Sequence, residues 1–125
     1  MGTIVIDFDS NNPEATYILT RARELIEDPV NWIQGPHAVD EDHEPVDAES
    51  LNACAWCAWG AMESISDQTG VSLWPAYDVL TKEAVRAGFP EIWHLNDDDE
   101  TEHSDVLAAF DAAIESTLVH DDASD

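Results

Sequence analysis

Cys54 and Cys57 form a Cys-x-x-Cys pair, and two thiols at that spacing on a helix can share a metal ion or exchange a disulfide. A structural zinc site needs a second closely spaced ligand pair, whereas His37, His43, His94, His103 and His120 are scattered along the chain. A redox pair is expected at a helix N-terminus after a strand, where the helix dipole lowers the thiol pKa. Here both cysteines fall inside an apolar helical pattern, so they read as reduced, buried thiols acting as small hydrophobes. A nucleophilic relay of Cys57 with His94 or His103 would require the fold to bring distant residues together.

The second set of reactive groups is carboxylate. Asn96-Asp97-Asp98-Asp99-Glu100 is followed by Glu102 and His103. Read as a calcium loop from Asp97, it has Glu102 where glycine is needed and Ala108 where the bidentate glutamate is needed. Asp40, Asp42 and Glu44 alternate like calcium ligands, yet the same two positions are Pro45 and Leu51. Neither run makes a dedicated metal site, and no cofactor is implied; loose divalent binding stays open. Both runs read as exposed loops, and Asp40, Asp42, Glu44, Asp97, Asp98, Asp99, Glu100 and Glu102 are the expected partner contacts. There is no nucleophile elbow, phosphate loop or dinucleotide fingerprint.

Twenty-eight Asp and Glu against four Lys and Arg give a net charge of -24 on 125 residues, far beyond the magnitude of roughly 2 to 8 that keeps a small domain soluble. Such a surface repels nucleic acid, anionic membranes and phosphorylated substrates, and it attracts cations and basic protein surfaces. Direct nucleic-acid binding is therefore excluded as an expectation, and no apolar run reaches the ~18 residues of a membrane span. Hydrophobic residues at 44%, with five Trp, supply a packed core and not a disordered acidic tail. A cytoplasmic protein is expected.

The elements that must position these groups follow from periodicity. Residues 3–8 read as a strand or arm, and Asn12-Pro13 opens a helix with Ala15, Ile18, Leu19, Ala22, Leu25 and Ile26 on one face. Residues 37–40 and 45–47 form a small hairpin around the tip 41–44, and Asp47 caps the next helix. That helix, 51–66, is the central apolar element, with Leu51, Ala55, Ala58, Met62 and Ile65 in a stripe and Gly60 marking close approach by another backbone. Gly70 stops it. Pro75 opens a short helix closed by Gly88, residues 89–95 are a Pro-broken apolar linker whose Ile92, Trp93 and Leu95 are expected to fold back on the core, and Thr101 caps a last helix through Val106, Phe110, Ala113 and Leu118. The expectation is one mainly α domain over 1–125, about four helices around a central helix, with a frayed tail at 119–125. An α+β domain in which 3–8 pairs with the hairpin is the alternative.

Trp32-x-Gln34-Gly35, Pro45-Val46-Asp47, Trp56-Cys57-Ala58-x-Gly60-Ala61-Met62, Asn96-Asp97, and Val106 with Ala113-Ile114 in the closing helix together resemble a family of short uncharacterised proteins of bacteria and bacteriophages. Its members carry Gln-Gly, Trp-Cys-x-x-Gly-Ala and Asn-Asp motifs. The resemblance spans about 18–114 and implies no activity; it makes Cys57, and not Cys54, the family-like thiol. Function is expected to be that of a non-enzymatic acidic protein on the basic surface of a nucleic-acid-binding protein, as phage-type inhibitors that mimic DNA act. A cysteine-dependent hydrolase or redox enzyme using Cys57 and His103, and a salt-adapted acidic domain, are the alternatives. Oligomeric state is not legible.

Overall fold

Pro13, lacking an N–H, suits the first turn of a helix, and the three-and-four spacing beyond it buries Ala15, Ile18, Leu19 and Ala22 in helix α1 (Pro13–Leu25). The computed structural model describes residues 13–118; the expected strand at 3–8, the Asn12 cap and the tail at 119–125 lie outside the described residues. A 3-10 turn (Pro29–Asn31), capped by Asp28, leads to strands β1 (Ala38–Val39), β2 (Pro45–Val46) and β3 (Ala55–Trp56), followed by α2 (Ala58–Thr69), α3 (Trp74–Arg86), α4 (Ile92–Asp97) and α5 (His103–Thr117). The fold is mainly α with a small antiparallel sheet of order β2-β1-β3. Among the described residues no helix is long and apolar enough to cross a membrane.

The hairpin forms where the sequence places it, with Ala38 opposite Val46 and Val39 opposite Pro45. Asp40 holds its tip, one carboxylate oxygen accepting from the backbone N–H of Asp42 at 2.9 Å and of Glu44 at 3.0 Å. The expected central helix is corrected at its start. Residues 51–54 run through a turn, Leu51 is fully exposed, and Ala55–Trp56 pairs with β1. The free edge of β1 decides this: Val39 O accepts from Cys54 N at 2.9 Å and His37 O from Cys57 N at 3.2 Å, bonds that a helix through 51–57 would forfeit. A short apolar run suits strand and helix alike, so periodicity alone does not place the junction. Asp47 consequently caps no helix; its carbonyl closes the turn to Ser50.

Helices α1, α2, α3 and α5 share one core in which Ile18, Leu19, Met62, Leu80, Val106 and Phe110 are wholly buried. α1 packs against the other three, and α4 bridges α3 and α2. Gly70 and Gly88 end α2 and α3 at φ 75° and 100°, left-handed geometry that glycine adopts at no steric cost. Two further expectations are adjusted. The apolar linker at 89–95 contains α4, which folds Ile92 and Leu95 back into the core as expected and leaves Trp93 exposed, and α5 starts from Glu102 instead of Thr101, because the Asp105 carboxylate accepts from Glu102 N at 2.8 Å.

Candidate functional site

The motif residues converge at the N-terminus of α2. Asn96, wholly buried at the end of α4, accepts through Oδ1 from Trp32 Nε1 at 2.7 Å and from Ala58 N at 3.0 Å. Its Nδ2 donates to Ile33 O at 3.2 Å and to Asp97 Oδ1 at 2.8 Å. Asp97 Oδ1 also accepts from Gly35 N at 2.9 Å, while Gln34 Nε2 donates to the carbonyls of Asn96 at 2.9 Å and Asp98 at 2.8 Å. Gly60 completes the junction, since a Cβ there would lie 1.9 Å from His37 O. Gln34-Gly35, Cys57-x-x-Gly60 and Asn96-Asp97 are thus one knot that ties the segment before β1 to α2 and α4. Every polar group of the Asn96 side chain is satisfied, as burial demands.

Above this knot opens a pocket of about 390 Å³ lined by Gly35, His37, Cys57, Trp59, Trp74, Tyr77, Glu91, Trp93 and Asp97, a volume in the range of small-molecule sites. Trp74 and Tyr77 are one turn apart on α3 and meet Trp59 of α2, with ring centroids 5.1 to 5.7 Å apart at steep angles. One Glu91 oxygen accepts from both the Tyr77 hydroxyl and Trp93 Nε1. The Tyr77 hydroxyl, assisted by Trp93 and His94, holds the Glu91 carboxyl below its ordinary pKa, so it stays ionised. His37 Nδ1 lies 2.8 Å from Glu63 Oε1.

Cys57 is the N-cap of α2, directly after β3, and its Sγ accepts from Gly60 N at 3.3 Å. The thiol is therefore not inside a helix but at the kind of junction where nucleophilic cysteines occur. Burial outweighs the two backbone N–H groups of Gly60 and Trp59, and with Asp97 and Glu63 opposing ionisation the pKa is pushed up to about 11. The thiol is protonated at neutral pH. His103 does not line the pocket: its Nε2 meets Ile26 O at 2.7 Å and its ring packs on Trp32. Cys54 is exposed and Cys57 buried, and both are free. Among the described residues no group of three or more His, Cys, Asp or Glu could hold a metal ion.

The acidic runs divide by role. Asp97 is a half-buried bridge in the knot, Asp40 organises the hairpin tip, Asp98 accepts from Glu100 N at 3.0 Å, and Glu102 starts α5. Asp42, Glu44, Asp99 and Glu100 are exposed and enter no ion pair among the described residues. The pocket's aromatic wall was not anticipated from the sequence. Its signal lay in five Trp within 125 residues and in the one-turn spacing of Trp74 and Tyr77, a pairing typical of a helix face. No curated protein and no solved structure matches the chain. The model of a family of unknown function (DUF6197) matches residues 10–116, and the chain belongs to that family.

Proposed function

We propose that this protein is a non-enzymatic, strongly acidic binding protein that occupies the basic, nucleic-acid-binding surface of another protein and inhibits it as a DNA mimic. The observation that carries the reading is the proximity of the two acidic runs. Gly35 is bonded to Asp97, and Asp40, five positions further along, lies at most ~17 Å from Gly35. The two exposed acidic runs are thus tethered through one junction, at a separation on the order of one duplex turn, ~34 Å. Total charge agrees with this scale, because -24 equals the charge on about 40 Å of duplex, and a chain of this length has a diameter of roughly 35 Å. Burial pushes the Cys57 thiol pKa up to about 11, which weighs against the cysteine-dependent alternative despite the thiol's place at the N-cap of α2 beside the pocket.

The test compares the wild type with a variant carrying Asp42→Lys, Glu44→Lys, Asp99→Lys and Glu100→Lys, each immobilised and exposed to heparin-retained proteins of the host lysate. These positions leave the knot and caps untouched, so both proteins should melt cooperatively. The wild type should retain a basic protein that elutes steeply with salt and is released by short duplex DNA, and the variant should retain at least tenfold less. A retained protein that binds DNA equally well free and in the complex overturns mimicry. Equal retention by wild type and variant overturns the acidic surface as the contact.

A further inference from the structure

The pocket above the knot has walls and charge of a kind that the exposed acidic loops lack. Trp74 is 59% and Trp93 46% exposed, so large aromatic surface is left in water on a protein whose composition otherwise favours solvation. No lysine or arginine lines the cavity, while Glu91 and Asp97 do. Anions are repelled by these carboxylates and by the whole-molecule field, and the described residues offer no ligand set for a metal ion. A neutral apolar ligand would desolvate two carboxylates without compensation. Aromatic faces attract cations through their quadrupole, most strongly Trp.

We propose that this pocket is a binding site for an organic cation, an alkylammonium head group held against Trp59, Trp74, Tyr77 and Trp93 and balanced by the carboxylates of Glu91 and Asp97. A quaternary head group asks for no new hydrogen bond from the pocket. One oxygen of Glu91 already accepts from Tyr77 and Trp93, and one oxygen of Asp97 from Gly35 and Asn96. A ligand without N–H donors makes full use of diffuse charge and aromatic contact while leaving those bonds in place. Glu91 is held ionised by the Tyr77 hydroxyl, so its charge is present across the neutral range. The site is independent of any macromolecular partner of the exposed acids.

The indole N–H resonances supply the test, because the five Trp divide into two groups. Trp59, Trp74 and Trp93 line the pocket, whereas Trp32 and Trp56 donate to Asn96 and to Ala48 O and stand outside it. Titration with choline chloride at constant ionic strength should shift the first three saturably and leave the other two in place. The uncharged isostere 3,3-dimethylbutan-1-ol should bind at least tenfold more weakly. Glu91→Gln and Trp93→Leu, both at partly exposed positions, should each weaken choline at least fivefold without lowering the melting temperature appreciably. A trimethyllysine peptide tested alongside assigns the source of the head group: tighter than choline for a modified lysine, weaker for a free small cation. Equal binding of the neutral alcohol, equal shifts of all five indoles, or no saturable shift would each overturn the proposal.

Discussion

Cys57 shows how position and environment pull one side chain in opposite directions. The N-cap of α2 favours a thiolate, yet burial and the neighbouring Asp97 and Glu63 raise the pKa from 9.0 to about 11. Because the folded state disfavours the charged form, stability is unaffected below pH ~9 and falls as pH rises from about 9 to 11. The loss expected from a shift of this size is about 2 to 3 kcal/mol. Cys57→Ala should remove that part of the alkaline decline, leaving the share of Tyr77, whose pKa is also raised by burial and by its bond to Glu91. At neutral pH the same variant should cost about 1 to 2 kcal/mol through lost packing and the lost cap to Gly60. Urea melts at pH 7 and 10.5 check both. Asn96 is the more demanding residue. Asn96→Asp sets a carboxylate against Ile33 O and Asp97 in place of a donor, and should cost about 2 to 4 kcal/mol in the same assay.

At the scale of elements, two glycines of α2 separate steric from conformational demand. Gly60→Ala places a methyl group 1.9 Å from His37 O, a backbone atom held by the Cys57 N–H, so β1 or α2 must move. The expected cost is about 3 kcal/mol or more, with dispersed or collapsed amide signals for the β1 to α2 region. Gly70→Ala meets nothing within 4 Å and strains only φ 75°, so it should cost about 1 kcal/mol and leave the core signals in place. Gly70→Asn should recover part of that, since Asn tolerates the left-handed region. A Gly70→Ala cost equal to that of Gly60→Ala would mean that close backbone approach is not what the α2 start requires.

For the whole molecule, charge dominates the response to solvent. The few cations are mostly committed: Arg23 bridges α1 to Asp111 of α5 at 2.6 Å, Arg21 meets Glu24 at 3.5 Å and Arg86 meets Glu83 at 2.6 Å. These exposed pairs are worth little individually and cannot offset a net charge of -24. At 10 mM salt the Debye length is about 30 Å, comparable to the molecular diameter, and at physiological ionic strength about 8 Å. The melting temperature should therefore rise as sodium chloride is raised from about 10 mM to a few hundred millimolar, and then level off. A cooperative melt at the low end removes the salt-adapted alternative, because a domain that depends on high salt would be unfolded there.

By itself the sequence determined the helices whose apolar residues recur at a period of 3.6 and whose ends carry chemical stops. Gly70, Pro75 and Gly88 bounded their helices at or within a residue of where the chain turns, and Gly60 announced the approach of another backbone. These features are local, depending on dihedral preference and on which face meets a core. The start of α2 was not local. Ala55 and Trp56 are as apolar in a strand as in a helix, and only the unpaired edge of β1 selected the strand. That choice moved Cys57 from a helix interior to an N-cap facing a cavity, and gathered Gln34, Gly35, Asn96 and Asp97 around it from more than 60 positions apart along the chain. The pocket followed in turn, since its aromatic rings belong to three separate helices, α2, α3 and α4. Hydrogen-bond satisfaction and ring packing between segments distant in sequence decided it, and neither is encoded in any single stretch of the chain.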